Sequence, residues 1–183
     1  MNRHLRWGVA LVLLPLAACN TDRSNAFNST VPQPMAAAVT MGAQDGQFIN
    51  AASSSDQFEI QTSQVALQKS RNPAVRAYAQ QMIDHHTMTT QQLTQLAGAK
   101  GANMTAGLDP TQQRLLAAVQ TAGPRGFDST YLSGQVTGHA ATVLAYNDEI
   151  RSGSDADVKG FAQQGLPMIQ KHLDDARRLS SRR

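Results

Sequence analysis

The tightest constraint on this chain lies between Leu132 and Ile150. Leu132, Val136, His139, Val143, Tyr146 and Ile150 recur at alternating steps of four and three, which lines them up along one stripe of a helix. A helix with such a stripe is stable only when other elements cover it, so the remaining segments must supply matching faces.

Three further long segments do so. A first helix is expected from about Gln44 to Ser70, with Phe48, Ile49, Ala52, Ile60, Ala66 and Leu67 as its apolar positions. Asn72-Pro73 ends it, because the residue before proline avoids the helical region. A second runs from about Pro73 to Ala99 through Val75, Tyr78, Ala79, Met82, Met88, Leu93 and Leu96, and closes at Gly98 and Gly101. In the longer connection that follows, Asp109 and Pro110 open a short helix whose apolar face is Leu115, Leu116 and Val119. The third long helix starts around Phe127-Asp128 and stops at Gly153. The fourth, with Ser154 and Asp157 at capping-box spacing, continues through Val158, Phe161, Leu166, Ile169, Leu173, Ala176 and Leu179. Pro167 inside it is expected to kink the helix or divide it in two. No strand-like alternation occurs. The fold class is therefore all-α, a four-helix bundle with a short extra helix in the second-to-third connection.

The N-terminal segment has a different texture. MNRHLRWGVALVLLPLAAC has a basic start, a short apolar run and small residues before a cysteine, the layout of a secretory signal. It is too short for a span of about 20 apolar residues. Leu16-Ala17-Ala18-Cys19 resembles the lipobox of bacterial lipoproteins, which implies lipidation of Cys19, the only cysteine in the chain. The expected organisation is a signal peptide over 1–19, a flexible tether over 20–44 and a helical domain over 45–181. The expected location is the periplasmic side of the bacterial envelope, with the membrane as partner through the lipid anchor. A single cysteine excludes disulfides and Cys-based zinc sites.

The formal charge of +3 does not make the domain a nucleic-acid binder. Without Arg3 and Arg6 the balance is 14 basic to 13 acidic side chains, or +1; without Arg177, Arg178, Arg182 and Arg183 as well it is −3. The basic charge sits at the ends, where the C-terminal run suits a helix dipole, and the body is close to neutral. No protein partner is indicated.

Each long helix offers one inward polar residue able to hold a metal: Glu59, His86, His139 and His172. His85 is turned about 100° from His86 and reads as a surface residue. Counting from Asn72, Glu59 lies 13 residues back and His86 lies 14 forward, at one level; from Gly153, His139 lies 14 back and His172 lies 19 forward, about a turn out of layer. Three of the four are level if the two short turns share an end of the bundle. Neutral imidazoles with a carboxylate suit one transition-metal ion, zinc, copper or iron; Met82 and Met168 each lie four residues before a histidine, and thioether plus imidazole would suit copper. The same residues could equally form a buried hydrogen-bonded His/Glu network.

No catalytic residue is expected. The residues three before His86, His139 and His172 are Ile83, Val136 and Ile169, so the Glu-x-x-His pairs of di-iron centres are missing. The chain also lacks GxSxG, GxxxxGK[ST] and HExxH. Asp128 and Tyr131 are expected to cap and pack the third helix.

The stretches FINAASSSDQFEIQTSQVALQKSRNPAVRAYAQQMIDHHT, FDSTYLSGQVTGHAATV and LPMIQKHLDDARRL resemble the family known as domain of unknown function 4142. The resemblance runs from Phe48 to Leu179. It implies a ferritin-like helical bundle in envelope proteins, with no established activity. By position it favours Glu59, His86, Phe127-Asp128 with Tyr131, His139, and Leu166-Pro167 with His172. It also implies aspartate where this chain has His85.

The expected role is a membrane-tethered, non-catalytic envelope bundle whose His/Glu cluster binds a metal or forms a polar network. The alternatives are a metal-dependent ferritin-like oxidase or metal store, and a structural or stress-related partner-binding protein.

Overall fold

Five helices and no strand make up the described residues, 41–104 and 107–182, of the computed structural model. They are α1 (Ala43–Lys69), α2 (Pro73–Ala99), α3 (Pro110–Thr121), α4 (Phe127–Ser152) and α5 (Ala156–Ser181). All lie in one compact unit, Ala38–Arg183. The expected signal peptide, Cys19 and the expected tether up to residue 40 lie outside the described residues. The tether's end at residue 44 is two residues too long, since α1 already begins at Ala43. No described helix is long and apolar enough to cross a membrane.

Local chemistry accounts for the boundaries. Asn72 accepts from the Ala74 N–H at 2.9 Å, and Pro73 opens α2. Lys100 is the C-cap of α2, followed by Gly101 at φ 63, a left-handed conformation that glycine adopts without a Cβ clash. Asp109 caps α3 by accepting from Thr111 N at 2.6 Å and Gln112 N at 3.0 Å.

Three expectations at helix ends and interiors change. Asp155, not Ser154, caps α5, accepting from Asp157 N and Val158 N. The Ser154 hydroxyl instead donates to Asp45 at 2.6 Å. Gly126 is the N-cap of α4, so Asp128 sits within the first turn, near the positive end of the dipole. Pro167 does not divide α5, which runs unbroken from Ala156 to Ser181. Both Pro167 and Gln163, four residues earlier, are on the exposed side, so the carbonyl deprived of its partner is left to water.

The core has two apolar ends. One gathers Ala66 of α1, Val75, Tyr78, Ala79 and Met82 of α2, Val119 of α3, Phe127, Tyr131 and Leu132 of α4, and Ala176 of α5. The other gathers Phe48, Ile49 and Ala52 of α1, Leu93 and Ala97 of α2, Tyr146 of α4, and Val158, Ala162 and Ile169 of α5. In all four long helices most of the buried residues between these two sets are polar, among them Asp56, Glu59, His86, Thr89, Gln135, His139, Thr142 and His172. Met88, expected on the inner face of α2, is 47% exposed.

This order also sets direction. α1 and α5 run from the Phe48 end to the Ala66 end, while α2 and α4 run the opposite way. The 70–72 and 153–155 turns therefore lie at opposite ends, not at the same end. The connection holding α3 returns the chain along the length of the molecule, where α3 packs on α1 and α4. Around the core, α1 packs on α2 and α4, and α5 packs on α4 and α2.

Candidate metal centre

The buried polar layer converges on three imidazoles. His86 and His172 are fully buried and His139 is 1% exposed. Their ring centroids are 5.6 Å (His86–His139), 5.4 Å (His86–His172) and 5.4 Å (His139–His172) apart. His172 is thus not out of layer. Helical side chains lean toward the N-terminus of their own helix, so His172 leans toward the α4–α5 turn and His139 leans away from it. That closes the offset counted along the chain.

Each ring is held at one nitrogen. His86 donates from Nδ1 to Asp56 Oδ1 at 2.8 Å, and Asp56 also accepts from Thr89 Oγ1 at 2.9 Å and Thr90 Oγ1 at 3.2 Å. His139 donates from Nδ1 to Gln135 O at 3.0 Å, with Glu59 Oε1 at 3.3 Å from the same nitrogen. His172 Nε2 faces His85 Nδ1 at 2.9 Å. The remaining nitrogens, His86 Nε2, His139 Nε2 and His172 Nδ1, are buried without a hydrogen-bond partner.

An unpaired buried polar atom costs about 1–3 kcal/mol, and here three of them occur in one layer. One ring nitrogen from each histidine lies within 4.8 Å of the other two. Some point therefore lies within about 2.8 Å of all three, against Zn–N bonds of about 2.0–2.1 Å. Side-chain shifts of under an ångström would complete a three-nitrogen site. Burial first, and then the neighbouring imidazoles, push the His139 pKa down to about 3 and the His172 pKa down to about 2. Both rings are neutral at physiological pH, with lone pairs available to a cation.

Of the four residues expected to hold a metal, the three histidines meet and Glu59 stands behind His139 at its Nδ1 side. Glu59 is fully buried, and neither of its oxygens finds a well-formed hydrogen bond. Burial drives its pKa well above the usual range; the Gln135 amide opposes the rise and Asp56 adds to it. Met82 packs in the core cluster toward the α1–α2 turn and Met168 against the opposite one. Tyr131 is fully buried against Tyr78 and Phe127, with its hydroxyl 2.9 Å from Ser63 Oγ.

His85 is not a free surface residue. It is half-buried and stacks on His172 at 5.1 Å between centroids, because a 100° turn from His86 puts it on the flank of α2 that faces α5. Asp56 was missed by sequence reasoning that took one polar residue per helix. A signal was present: Ala52, Asp56, Glu59, Ser63 and Ala66 alternate by four and three. A cavity of about 560 Å³ between α1, α3 and α4 is lined in part by Ser55, Gly138, Thr142 and Tyr146, with no histidine among its lining residues.

Solved structures share this helical fold. A DUF305 fragment from Deinococcus radiodurans is similar with a TM-score of 0.70 at 14% identity, over 78% of this chain and 99% of that one. CopM in the Cu(I)-bound form is similar with a TM-score of 0.65 at 15% identity, over 75% of this chain and 96% of that one. CopM in the Cu(II)-bound form gives 0.64 at 16% identity, with the same coverage. No curated protein matches the sequence. The sequence model of the family described as a domain of unknown function (DUF4142) matches residues 30–179, and the chain belongs to that family.

Proposed function

We propose that this protein is a transition-metal-binding domain of the bacterial envelope, a ferritin-like four-helix bundle held at the membrane by lipid on Cys19. It binds one metal ion, with copper favoured, through His86 Nε2, His139 Nε2 and His172 Nδ1. The observation that carries this reading is that three buried histidines bring one ring nitrogen each within 4.8 Å of the other two, while each ring keeps one buried nitrogen without a hydrogen-bond partner. Neutral imidazole suits zinc, copper and iron, and copper(II) is the tightest-binding divalent ion of the first row at most nitrogen sites. The similarity in fold to CopM, seen with Cu(I) and with Cu(II), supports copper.

The outer contacts have the form that metal-binding histidines take, with the second ring nitrogen donating to a carboxylate or a carbonyl. Asp56 does this for His86, and Gln135 O for His139. The role is capture or storage of the ion.

The test is metal titration of the purified chain with Cu(I), Cu(II), Zn(II) and Fe(II), followed by elemental analysis after desalting. About one ion per chain is expected, with copper retained against the others and lost in His139→Ala. Failure of the parent to retain any of the four would overturn the proposal and leave a hydrogen-bonded histidine cluster.

A further inference from the structure

The three histidines of the centre are not supported alike. His86 and His139 donate to oxygen acceptors, Asp56 and the Gln135 carbonyl, and an oxygen that only accepts leaves a ring no choice of tautomer. His172 instead meets another imidazole, Nε2 to His85 Nδ1 at 2.9 Å, with the rings 24° from parallel. An imidazole can donate or accept, so the nitrogen that His172 turns inward depends on what His85 does.

Building on the metal-binding reading, we propose that His85 is the positioning residue of the centre: it accepts the His172 Nε2–H and so keeps the lone pair of His172 Nδ1 aimed at the ion. A neutral imidazole has one proton for its two nitrogens. If that proton sat on Nδ1, it would occupy the only coordinating position that His172 offers. A proton on Nε2 needs an acceptor, and the one present is His85 Nδ1. His85 itself is not a ligand in this arrangement, because it reaches the centre only through His172.

The geometry separates this role from packing. His85 is half-buried while the three ligands are fully buried, and both ring interactions of His85, the hydrogen bond and the stack, are with His172. Replacing the ring by phenyl keeps the stack and removes the acceptor. Replacing it by carboxylate removes the ring and keeps an acceptor.

The experiment compares the full chain with His85→Phe and His85→Asp. Nitrogen-15 NMR of the metal-free protein reads the His172 tautomer, and competition with a chromophoric chelator reads Cu(I) affinity. The parent is expected to hold its proton on Nε2. In His85→Phe the Nδ1–H tautomer becomes populated and Cu(I) affinity falls by about 10–100-fold, the usual effect of losing an outer-shell partner. His85→Asp keeps the parent tautomer and an affinity close to the parent's. A phenyl variant with unchanged tautomer and unchanged affinity would overturn the assignment. If the parent retains no metal, the metal-binding reading fails, and the tautomer measurement still decides whether His85 orders His172.

Discussion

A buried imidazole takes its chemistry from whatever its second nitrogen touches, and Asp56 supplies that contact for His86. Its carboxylate accepts from His86, Thr89 and Thr90 together, which holds it in place as well as the ring. Asp56→Ala removes the acceptor and leaves His86 Nδ1 and Thr89 without it. The expected result is a loss of about 10–100-fold in metal affinity, together with about 1–3 kcal/mol of folded stability. Asp56→Asn, whose amide oxygen still accepts from His86, should lose less of both. Competition titration and chemical denaturation measure the two effects on one preparation. Loss of stability without loss of affinity would show Asp56 to be structural only.

Among the helices, α1 and α4 approach closely because position 138 has no side chain. A Cβ there would stand 2.9 Å from Phe58 Cε1 and 3.0 Å from Glu59 Oε1, and both side chains are fully buried. Gly138→Ala should therefore destabilise the fold by about 1–3 kcal/mol, as overpacking does, and displace Glu59 from its place behind His139. Gly160, in the interior of α5, has nothing within 4 Å of its Cβ position. Gly160→Ala should stabilise by about 0.5–1 kcal/mol, since only helix propensity changes. Thermal unfolding of the two variants, one moving down and one up, checks the packing of α4 on α1 independently of any metal.

Across the whole molecule, the ends of four helices are joined at the α4–α5 turn by a cluster of acids. Burial alone would raise the pKa of Asp45, but hydrogen bonds from the Ser154 hydroxyl and from the backbone N–H groups of Asp155, Gly42 and Ser154 outweigh it and hold the carboxyl well below the ordinary range. Lys100, just after α2, pairs with Asp155 at 2.8 Å and Asp157 at 2.6 Å. Glu149 is fully buried beside them. Its pKa is pushed up to about 7, by burial first and then by Asp45 and Asp155, with Lys159 opposing. A carboxyl whose folded pKa is raised contributes stability that is complete below its unfolded value and lost as pH rises through the folded one. His139 and His172, whose pKa values burial lowers, act in the opposite sense below about pH 6.5, because the unfolded chain takes up protons there that the folded one does not. The Glu149 contribution is therefore read as a difference: between about pH 5 and pH 8 the melting temperature of the parent should fall by a few degrees relative to that of Glu149→Gln in a scan of unfolding against pH. A difference that stays constant over this range would contradict a neutral Glu149.

Several helix boundaries were legible along the chain because they rest on contacts within four residues: Pro73, Asp109 with Pro110, and Gly153 each act on the backbone beside them. The seam from Leu132 to Ile150 likewise placed His139 inward, and the same period placed His86 and His172. Pro167 misled because the effect of a missing backbone bond depends on which side of the helix meets water. His85, Asp56 and the level of His172 were hidden for a related reason. Each depends on a neighbour 30 to 87 residues away and on where two helices come together, and periodicity carries no information about that distance. The residue types and faces that make a histidine centre follow from local rules; the pairing that leaves three nitrogens free and holds each opposite edge comes from long-range packing, because only packing sets the height, lean and spacing of one helix against another.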